Sequence, residues 1–260
     1  DPRRFRSDNR QPRSAVSAAL EAGCAAELIE LLLAHGADVN APGPDGRPPY
    51  RLATSQGRGD AAQLLRRYGA DERLTETDRF LSACLRNDRS EAENVMKDHP
   101  DVIARLSQGD KAILAQATET GNTAAVGLLL DLGFPIDSAA GDDGRTLLHA
   151  AAYSGSAGTV RLLLERGADI EARDTTWDGT PLQWAMVGSG ESPRRNPTPD
   201  WVATVRTLID AGAVTAGITL SPDDPKPPSR EIAELLRAYG VGDEHRGSRA
   251  SPSQSSQEIQ

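Results

Sequence analysis

The stretch LLLERGADIEARD, residues 162–174, has three relatives elsewhere in this 260-residue chain. They are LLLAHGADVNAPG at 31–43, LLRRYGADERL at 64–74 and LLLDLGFPIDSA at 128–139. A second type of stretch alternates with the first and reads RTLLHAAAYSG at 145–155, RPPYRLATSQG at 47–57 and GTPLQWAMVGS at 179–189. Self-similarity at a regular spacing is typical of repeat architectures, in which each repeat is one supersecondary unit that buries its apolar face against its neighbours.

Counting positions gives the register of the repeats. Equivalent starting positions fall at Ser14, Pro48, Asp78, Ala112, Thr146 and Thr180, so the intervals are 34, 30, 34, 34 and 34 residues. A glycine closes the second half of most repeats, at Gly36, Gly69, Gly133, Gly167 and Gly212, as expected for the left-handed residue that ends a helix.

These motifs resemble the ankyrin-repeat signature, a T-P-L-H-x-A-A first helix followed by a second helix that ends in L-L-x-x-G-A-D-x-N. The resemblance implies an all-α fold, an ankyrin α-solenoid of helix-turn-helix repeats with short hairpin fingers. It covers six repeats and a C-terminal half repeat and is closest to bacterial ankyrin-repeat proteins. In this family the signature histidine, here His149, braces the neighbouring loop, and Arg51 and Gln183 occupy the same position in other repeats.

The domain organisation follows from the repeats. Residues 1–13 form a basic N-terminal arm or the remnant of an upstream repeat, and residues 14–241 form the repeat domain, with a capping helix at 229–240. The Ser/Gln/Arg-rich tail 242–260 has little to bury and is expected to be disordered. The third repeat lacks the hairpin signature and is four residues short, which predicts either a local change in the curvature of the stack or a hinge.

Composition excludes several classes of function. The net charge of −9 and a pI near 5.0 argue against binding to nucleic acid, which depends on Lys and Arg neutralising phosphates. No run of 18 apolar residues exists, so we expect no membrane span. We also expect the protein to be cytoplasmic and monomeric. Two cysteines and four dispersed histidines predict neither a disulfide framework nor a metal site. Only three of 29 basic residues are lysines, a usage typical of a GC-rich and therefore bacterial coding sequence.

The sixth repeat departs most from the pattern. About eleven extra residues separate its helices, within a predicted loop at 188–200 that projects from the solenoid and carries Arg194 and Arg195 near its tip. All three tryptophans belong to this repeat: Trp177 is expected to be exposed at the finger, Trp184 to be in the core, and Trp201 to pin the loop. Trp and Arg are frequent at interface hot spots, so this region is a candidate binding site, with tolerated sequence drift as the alternative.

Carrying over the contact positions of the family residue by residue gives a set of candidate partner-binding residues. With the two loop arginines, the set is Arg47, Ser55, Gln56, Glu119, Thr120, Arg145, Tyr153, Ser154, Trp177, Met186, Val187, Arg194 and Arg195.

The predicted function is therefore a non-catalytic protein-protein interaction module, acting as an adaptor, scaffold or inhibitor without a cofactor. We expect it to bind a partner protein through its concave face, its hairpin fingers and the loop of the sixth repeat. The chain carries no G-x-S-x-G, P-loop, H-E-x-x-H or G-x-G-x-x-G motif, so an enzyme in its own right is disfavoured. A second alternative is a regulatory or targeting segment of a larger enzyme or toxin, because the chain does not begin with Met and could be a trimmed piece.

Overall fold

A computed structural model describes residues 14–43, 46–139, 143–192, 196–221 and 225–241. Within these ranges every regular element is an α-helix, which confirms the predicted all-α solenoid. In chain order the helices are α1 (Ala15–Glu21), α2 (Ala26–Ala34), α3 (Pro49–Ser55), α4 (Gly59–Arg67), α5 (Glu76–Leu85), α6 (Arg89–Asp98), α7 (Gln108–Glu119), α8 (Thr123–Asp131), α9 (Leu147–Tyr153), α10 (Ala157–Glu165), α11 (Pro181–Glu191), α12 (Trp201–Asp210) and α13 (Arg230–Ala238).

The helices α1 to α12 form six successive antiparallel pairs, and α13 follows the last pair. The first helices carry small side chains, such as Ala150, Ala151 and Ala152 of α9, all fully buried. The second helices bury bulkier ones, such as Val160 and Leu163 of α10. Because small residues let helix axes approach while bulky residues hold them apart, this asymmetry curves the stack toward the first helices.

The turn between the two helices of a pair sets the register of the repeat. One residue in each of the first five turns has a positive φ, and these residues are Gly23, Gly57, Asn87, Gly121 and Gly155. Their spacings of 34, 30, 34 and 34 residues match the intervals counted from the sequence.

The starts of α5 and α7 correct the predicted register at its front edge. Helix α5 begins after Thr75, three residues before the position expected from Asp78, and α7 begins after Ser107, five residues before Ala112. Both helices open with a capping box, in which the hydroxyl of Thr75 or Ser107 accepts from the backbone N–H of the aspartate three residues on. Local capping chemistry therefore adds a turn to these two helices.

The short third repeat brings its neighbours together. Arg47, ahead of α3, donates from Nη2 to Oδ1 of Asp110 in α7 at 2.7 Å, and both side chains are buried. Gln56 donates to Oε1 of Gln116 at 3.4 Å. Side chains of the second and fourth repeats thus meet across the third, which supports the curvature interpretation of the degenerate repeat rather than a free hinge.

His149 is held between two repeats as the family resemblance implies. Its Nδ1 accepts from the backbone N–H of Thr146 at 3.1 Å, so the proton is on Nε2, which donates to the carbonyl of Gly179 at 3.0 Å. The ring is fully buried, and burial lowers the pKa of His149 despite the hydrogen bond to Gly179. Arg51 makes a comparable link, donating to Oδ2 of Asp78 in the next repeat at 2.6 Å.

The two ends of the stack differ. The outer surface of α13 carries Arg230, Glu231, Glu234 and Arg237, and is polar, as the terminal repeat of a solenoid requires. At the other end Leu31 of α2 is 54% exposed, although the equivalent Leu64 of α4 is 2% exposed. Both leucines lie five residues before the glycine that ends their helix, and Leu64 is covered by the preceding repeat.

This equivalence predicts unequal effects of the same substitution. Leu64→Gln should lower the free energy of unfolding by about 3 kcal/mol, because it leaves a cavity and buries an amide. Leu31→Gln, the matched control, should change it by less than about 0.5 kcal/mol because the position is already hydrated. Urea unfolding followed by circular dichroism measures both. Equal losses would show that Leu31 is covered in solution.

The His149 contacts predict a pH dependence of stability. The unfolded imidazole takes up a proton near pH 6.5, whereas the folded one resists protonation, so stability should be full above that pH and fall as the pH is lowered. His149→Gln keeps an acceptor for Thr146, as Gln183 does for Thr180 at 2.9 Å. It should cost about 1 kcal/mol at pH 7.5 and flatten the slope between pH 6.5 and 5.5. An unchanged slope would assign the acid sensitivity to other groups.

Candidate functional site

A groove of about 620 Å³ lies between the fifth and sixth repeats and collects five of the predicted binding residues. These are Arg145, Tyr153, Trp177, Met186 and Val187. The remaining lining residues come from the segments before α9 and α11, from α11 itself and from the chain that leads to α13. They are Asp143, Gly179, Gln183, Trp184, Glu191, Gly217, Ile218, Thr219, Pro225 and Lys226.

The finger that forms one wall of the groove is built around Asp174. Its buried carboxylate accepts from the backbone N–H groups of Thr176, Trp177 and Gly179 at 2.8, 2.7 and 2.9 Å, and from Nε1 of Trp184 at 2.9 Å. Burial alone would raise the pKa of Asp174, but these four donors outweigh it and hold the pKa below its ordinary value. The charged carboxylate therefore fixes both the finger and the indole of Trp184.

Trp184 is the centre of an aromatic cluster. The rings of Tyr153 and Trp177 stand nearly perpendicular to it, with centroids at 5.6 and 5.5 Å and interplanar angles of 78° and 69°. His149 makes a third edge contact at 6.0 Å. Trp184 is half-buried rather than a core residue as predicted, whereas Trp177 is 64% exposed, as expected for a finger residue.

The guanidinium of Arg145 lies over the indole of Trp184, with Cζ 5.5 Å from the ring centroid. Its Nη1 donates to Oε1 of Glu119 at 3.3 Å, and its Nε lies 3.2 Å from Oδ2 of Asp143. Two carboxylates and one indole face thus hold this side chain in place.

A second charged contact in the groove involves Tyr153, Glu191 and Lys226. Tyr153 donates from its hydroxyl to Oε2 of Glu191 at 2.7 Å, and Lys226 lies 2.8 Å from Oε1 of the same carboxylate. Burial and the carboxylates of Glu191 and Glu119 raise the pKa of Tyr153 to about 12, so the phenol stays protonated. Lys226 and Tyr153 together hold the pKa of Glu191 below its usual range.

Two helices of the groove approach unusually closely at Gly188. A Cβ atom on this residue of α11 would lie 1.9 Å from the carbonyl oxygen of Tyr153 in α9. At Gly190, two residues further on, a Cβ atom would lie 2.1 Å from the carbonyl oxygen of Pro227. The glycines therefore set the width of the groove by permitting both contacts.

The predicted loop of the sixth repeat is shorter than expected and packs inward where it is described. Helix α11 continues through Glu191, so residues 188–191 are helical. Asn196 is buried and donates from Nδ2 to the carbonyl of Ser154 at 3.0 Å, while the backbone N–H of Asp200 donates to the carbonyl of Gly155 at 2.9 Å. Residues 196–200 thus follow the fifth repeat instead of projecting from it.

Trp201 anchors the end of that segment, as predicted. Its Nε1 donates to the carbonyl of Tyr153 at 3.1 Å, and its ring packs against Gly155. The predicted tip residues Arg194 and Arg195 lie outside the described residues.

Five of the predicted binding residues are buried: Met186, which lines the groove at 8% exposure, and four polar residues. The side chains of the four polar residues bond within the protein, so they offer a partner little surface. Arg47 pairs with Asp110 and also donates to Ser55, and Glu119 accepts from Arg145. Ser154 donates to the carbonyl of Ala151 at 3.2 Å. These positions are buried because the second and fourth repeats close on each other and because residues 196–200 cover the turn after α9.

Two further predicted residues lie away from the groove. Gln56 is half-buried against Gln116, and Thr120 is exposed at the C-terminus of α7, where its hydroxyl donates to the carbonyl of Ala117. Conversely, sequence reasoning missed Glu191 and Lys226, and it did not place Trp184 in the groove.

Among the described ranges, no cluster of three or more His, Cys, Asp or Glu side chains has an arrangement that could hold a metal ion. No helix there is long and apolar enough to cross a membrane. Cys84 is buried, and burial raises the pKa of its thiol to about 12, which makes it a poor nucleophile at neutral pH.

Comparison with known proteins agrees with the fold. Residues 81–174 match the family model described as ankyrin repeats, in three copies. Human ankyrin repeat and SOCS box protein 16 is 31% identical over 211 residues, which is 75% of this chain and 45% of that protein. A Caenorhabditis elegans homologue of transient receptor potential cation channel subfamily A member 1 is 34% identical over 101 residues, 39% of this chain and 8% of that protein.

A solved structure, the human ASB11 ankyrin repeat domain, aligns with 86% of this chain and 98% of that chain, at 22% identity and a TM-score of 0.47. The chain spans less than half the length of each of the two curated relatives. Both are animal proteins, so the bacterial type expected from composition stays a prediction.

The close contact at Gly188 predicts that the groove depends on this residue. Gly188→Ala should lower the free energy of unfolding by about 2–3 kcal/mol, because the added methyl must push α11 away from α9. Gly158→Ala in α10 is the matched control: its Cβ would lie no nearer than 3.8 Å to another group, so it should stabilise by about 0.5–1 kcal/mol. Urea unfolding tests both, and stabilisation by both substitutions would contradict the close approach.

Proposed function

Because the chain is an ankyrin-repeat protein, we propose that it binds a partner protein through the groove between its fifth and sixth repeats. Ankyrin repeats generally mediate protein-protein interaction and are typically non-catalytic. In this proposal the chain acts as an adaptor, scaffold or inhibitor and supplies no catalysis of its own.

The observation that carries the proposal is the exposed indole of Trp177 beside the half-buried Trp184 and Tyr153. Trp, Tyr and Arg are the residue types enriched at binding hot spots, which lie in well-packed pockets surrounded by groups that exclude water. A Trp that is 64% exposed while its backbone is fixed by Asp174 loses little conformational freedom on binding. This preorganisation favours a binding role over chance exposure.

The shape of the site favours a peptide segment over a small substrate. The groove is partly open to solvent, and its walls come from two helices, the segments that precede them and the chain before α13. Apolar side chains such as Met186, Val187 and Ile218 line it together with a few polar groups, the combination expected of a binding cleft. A partner would contact the first helices and the finger, the surface that an ankyrin stack presents along its concave side.

A second candidate role is favoured by the length comparison. Since the chain spans less than half of each curated relative described above, the groove could serve as the binding region of a larger polypeptide, including a larger enzyme or toxin. The complete reading frame discriminates between the two roles, because a catalytic domain in the same polypeptide would favour the second.

The proposal predicts that Trp177→Ala loses partner binding. Partners are captured from lysate of the source organism with the 260-residue chain, identified by mass spectrometry and then measured by titration calorimetry. Removing a hot-spot indole should weaken the identified complex about 30-fold, and Tyr153→Ala should weaken it as well. Trp177→Ala should keep its stability, since Trp177 is exposed. Tyr153→Ala removes the ring contact with Trp184 and the hydrogen bond to Glu191, so urea unfolding must show that this variant is still folded under the conditions of the binding measurement.

Tyr68→Ala is the matched control, because Tyr68 is 40% exposed in the second repeat, far from the groove along the chain. It should bind as the unmodified protein does. A partner that binds Trp177→Ala and Tyr153→Ala at full affinity would move the interface elsewhere on the solenoid.

A further inference from the structure

We infer that the groove between the fifth and sixth repeats selects a partner segment that presents an arginine side chain. This inference rests on the proposed function, because it names the chemistry of the segment that the same groove would bind.

The charges around the groove favour a cationic ligand. Four carboxylates line it or touch its lining residues, and these are Asp143, Glu191, Glu119 and Asp174. Among the described residues that line the groove, the cations are Arg145 and Lys226. The hydrogen-bond donors to Asp174 described above are backbone and indole N–H groups, which carry no formal charge, so an excess of negative charge remains at the aromatic cluster.

Both cations of the groove are already engaged by carboxylates. Arg145 lies between Glu119 and Asp143, and Lys226 lies 2.8 Å from Glu191. An anionic segment would have to break these pairs before it gained a partner, which costs much of the attraction. A cationic segment meets the lining carboxylates of Asp143 and Glu191, which keep acceptor capacity because a carboxylate has about four lone-pair sites. Asp174, whose sites are taken by four N–H donors, contributes only its negative charge.

Arg145 shows which cation the aromatic surface suits. Its guanidinium lies over the face of Trp184 while two carboxylates flank it. A second indole, Trp177, stands 5.5 Å from Trp184 and is largely exposed, so it offers an aromatic surface to a guanidinium from another molecule. Trp is the strongest cation–π partner, and the planar, weakly hydrated guanidinium stacks on it more readily than a lysine ammonium.

The opposite wall supplies the carboxylate for such a ligand. Glu191 accepts one contact on each oxygen, from Tyr153 on Oε2 and from Lys226 on Oε1, and its side chain is 36% exposed. A cationic segment that places a guanidinium on Trp177 has this carboxylate available in the lining of the same groove. The same aromatic groove without its acidic groups would suit a proline-rich segment instead, and the test separates these two chemistries.

The experiment uses a random dodecapeptide library displayed on phage, selected on the immobilised 260-residue chain and, in parallel, on Trp177→Ala and Tyr68→Ala. We expect sequences enriched in arginine that Tyr68→Ala retains and Trp177→Ala loses. Enriched sequences that depend on Trp177 but carry prolines or acidic residues without arginine would overturn the arginine inference and leave the proposed function standing. No enrichment that depends on Trp177 would overturn both.

A synthetic peptide from the selection then tests the charge directly by tryptophan fluorescence titration. Replacing its arginine by citrulline, a neutral side chain of nearly the same shape, should weaken binding about tenfold. Citrulline that binds as well as arginine would overturn the inference.

Charge variants of the protein complete the test. Asp143→Asn combined with Glu191→Gln should weaken the arginine peptide about tenfold and abolish most of the difference between arginine and citrulline. Glu93→Gln is the matched control, since Glu93 is an exposed carboxylate in α6 that pairs with Arg89 outside the groove. An equal effect of the control would attribute the preference to the net charge of −9 and would overturn a specific site.

Discussion

Each helix pair of this protein can bury its apolar face only against the next pair, and the rest of the structure follows from that constraint. The turn glycines keep a spacing of 34 residues so that consecutive pairs stay in register. Where the third repeat is shorter, the second and fourth repeats meet instead, through the buried pair of Arg47 and Asp110. The stack thus tolerates one imperfect repeat because its neighbours supply the missing contacts.

The groove between the fifth and sixth repeats arises where a helix of the stack is longer than its counterparts. The sixth repeat has a first helix of eleven residues, and the extra turn carries Gly188, Gly190 and Glu191. The glycines allow this helix to lie against α9 and the chain before α13, and Glu191 then meets Tyr153 and Lys226. One local extension therefore supplies both a wall of the groove and one of its carboxylates.

The sequence predicted the repeats well because their signals are local. Turn glycines, capping residues and the apolar positions of the second helices recur in the printed sequence, and the helices follow them. The early starts of α5 and α7 could also have been found, since Thr75 with Asp78 and Ser107 with Asp110 fit the capping-box pattern. The prediction missed these two starts because it gave every repeat the same starting position.

The candidate site was predicted less completely because it depends on contacts between distant segments. Trp177 and Tyr153 lie at family contact positions and were found, whereas Lys226 reaches the groove only because the chain after α12 returns to α11. Four further predicted residues are buried and offer a partner little surface: Arg47, Ser55, Glu119 and Ser154. Their burial could not be predicted, because no local sequence pattern shows which residues a neighbouring repeat covers.

The charge of Asp174 links the fold to the proposed recognition. The carboxylate of Asp174 accepts three N–H groups of the finger and one from the indole of Trp184 in α11. The group that fixes the backbone of Trp177 and the ring of Trp184 therefore also places a negative charge close to both residues. The polarity of an indole face already favours cations, and a buried carboxylate close to it strengthens that preference. In this groove the requirement for a rigid finger and the preference for a guanidinium therefore have one physical origin.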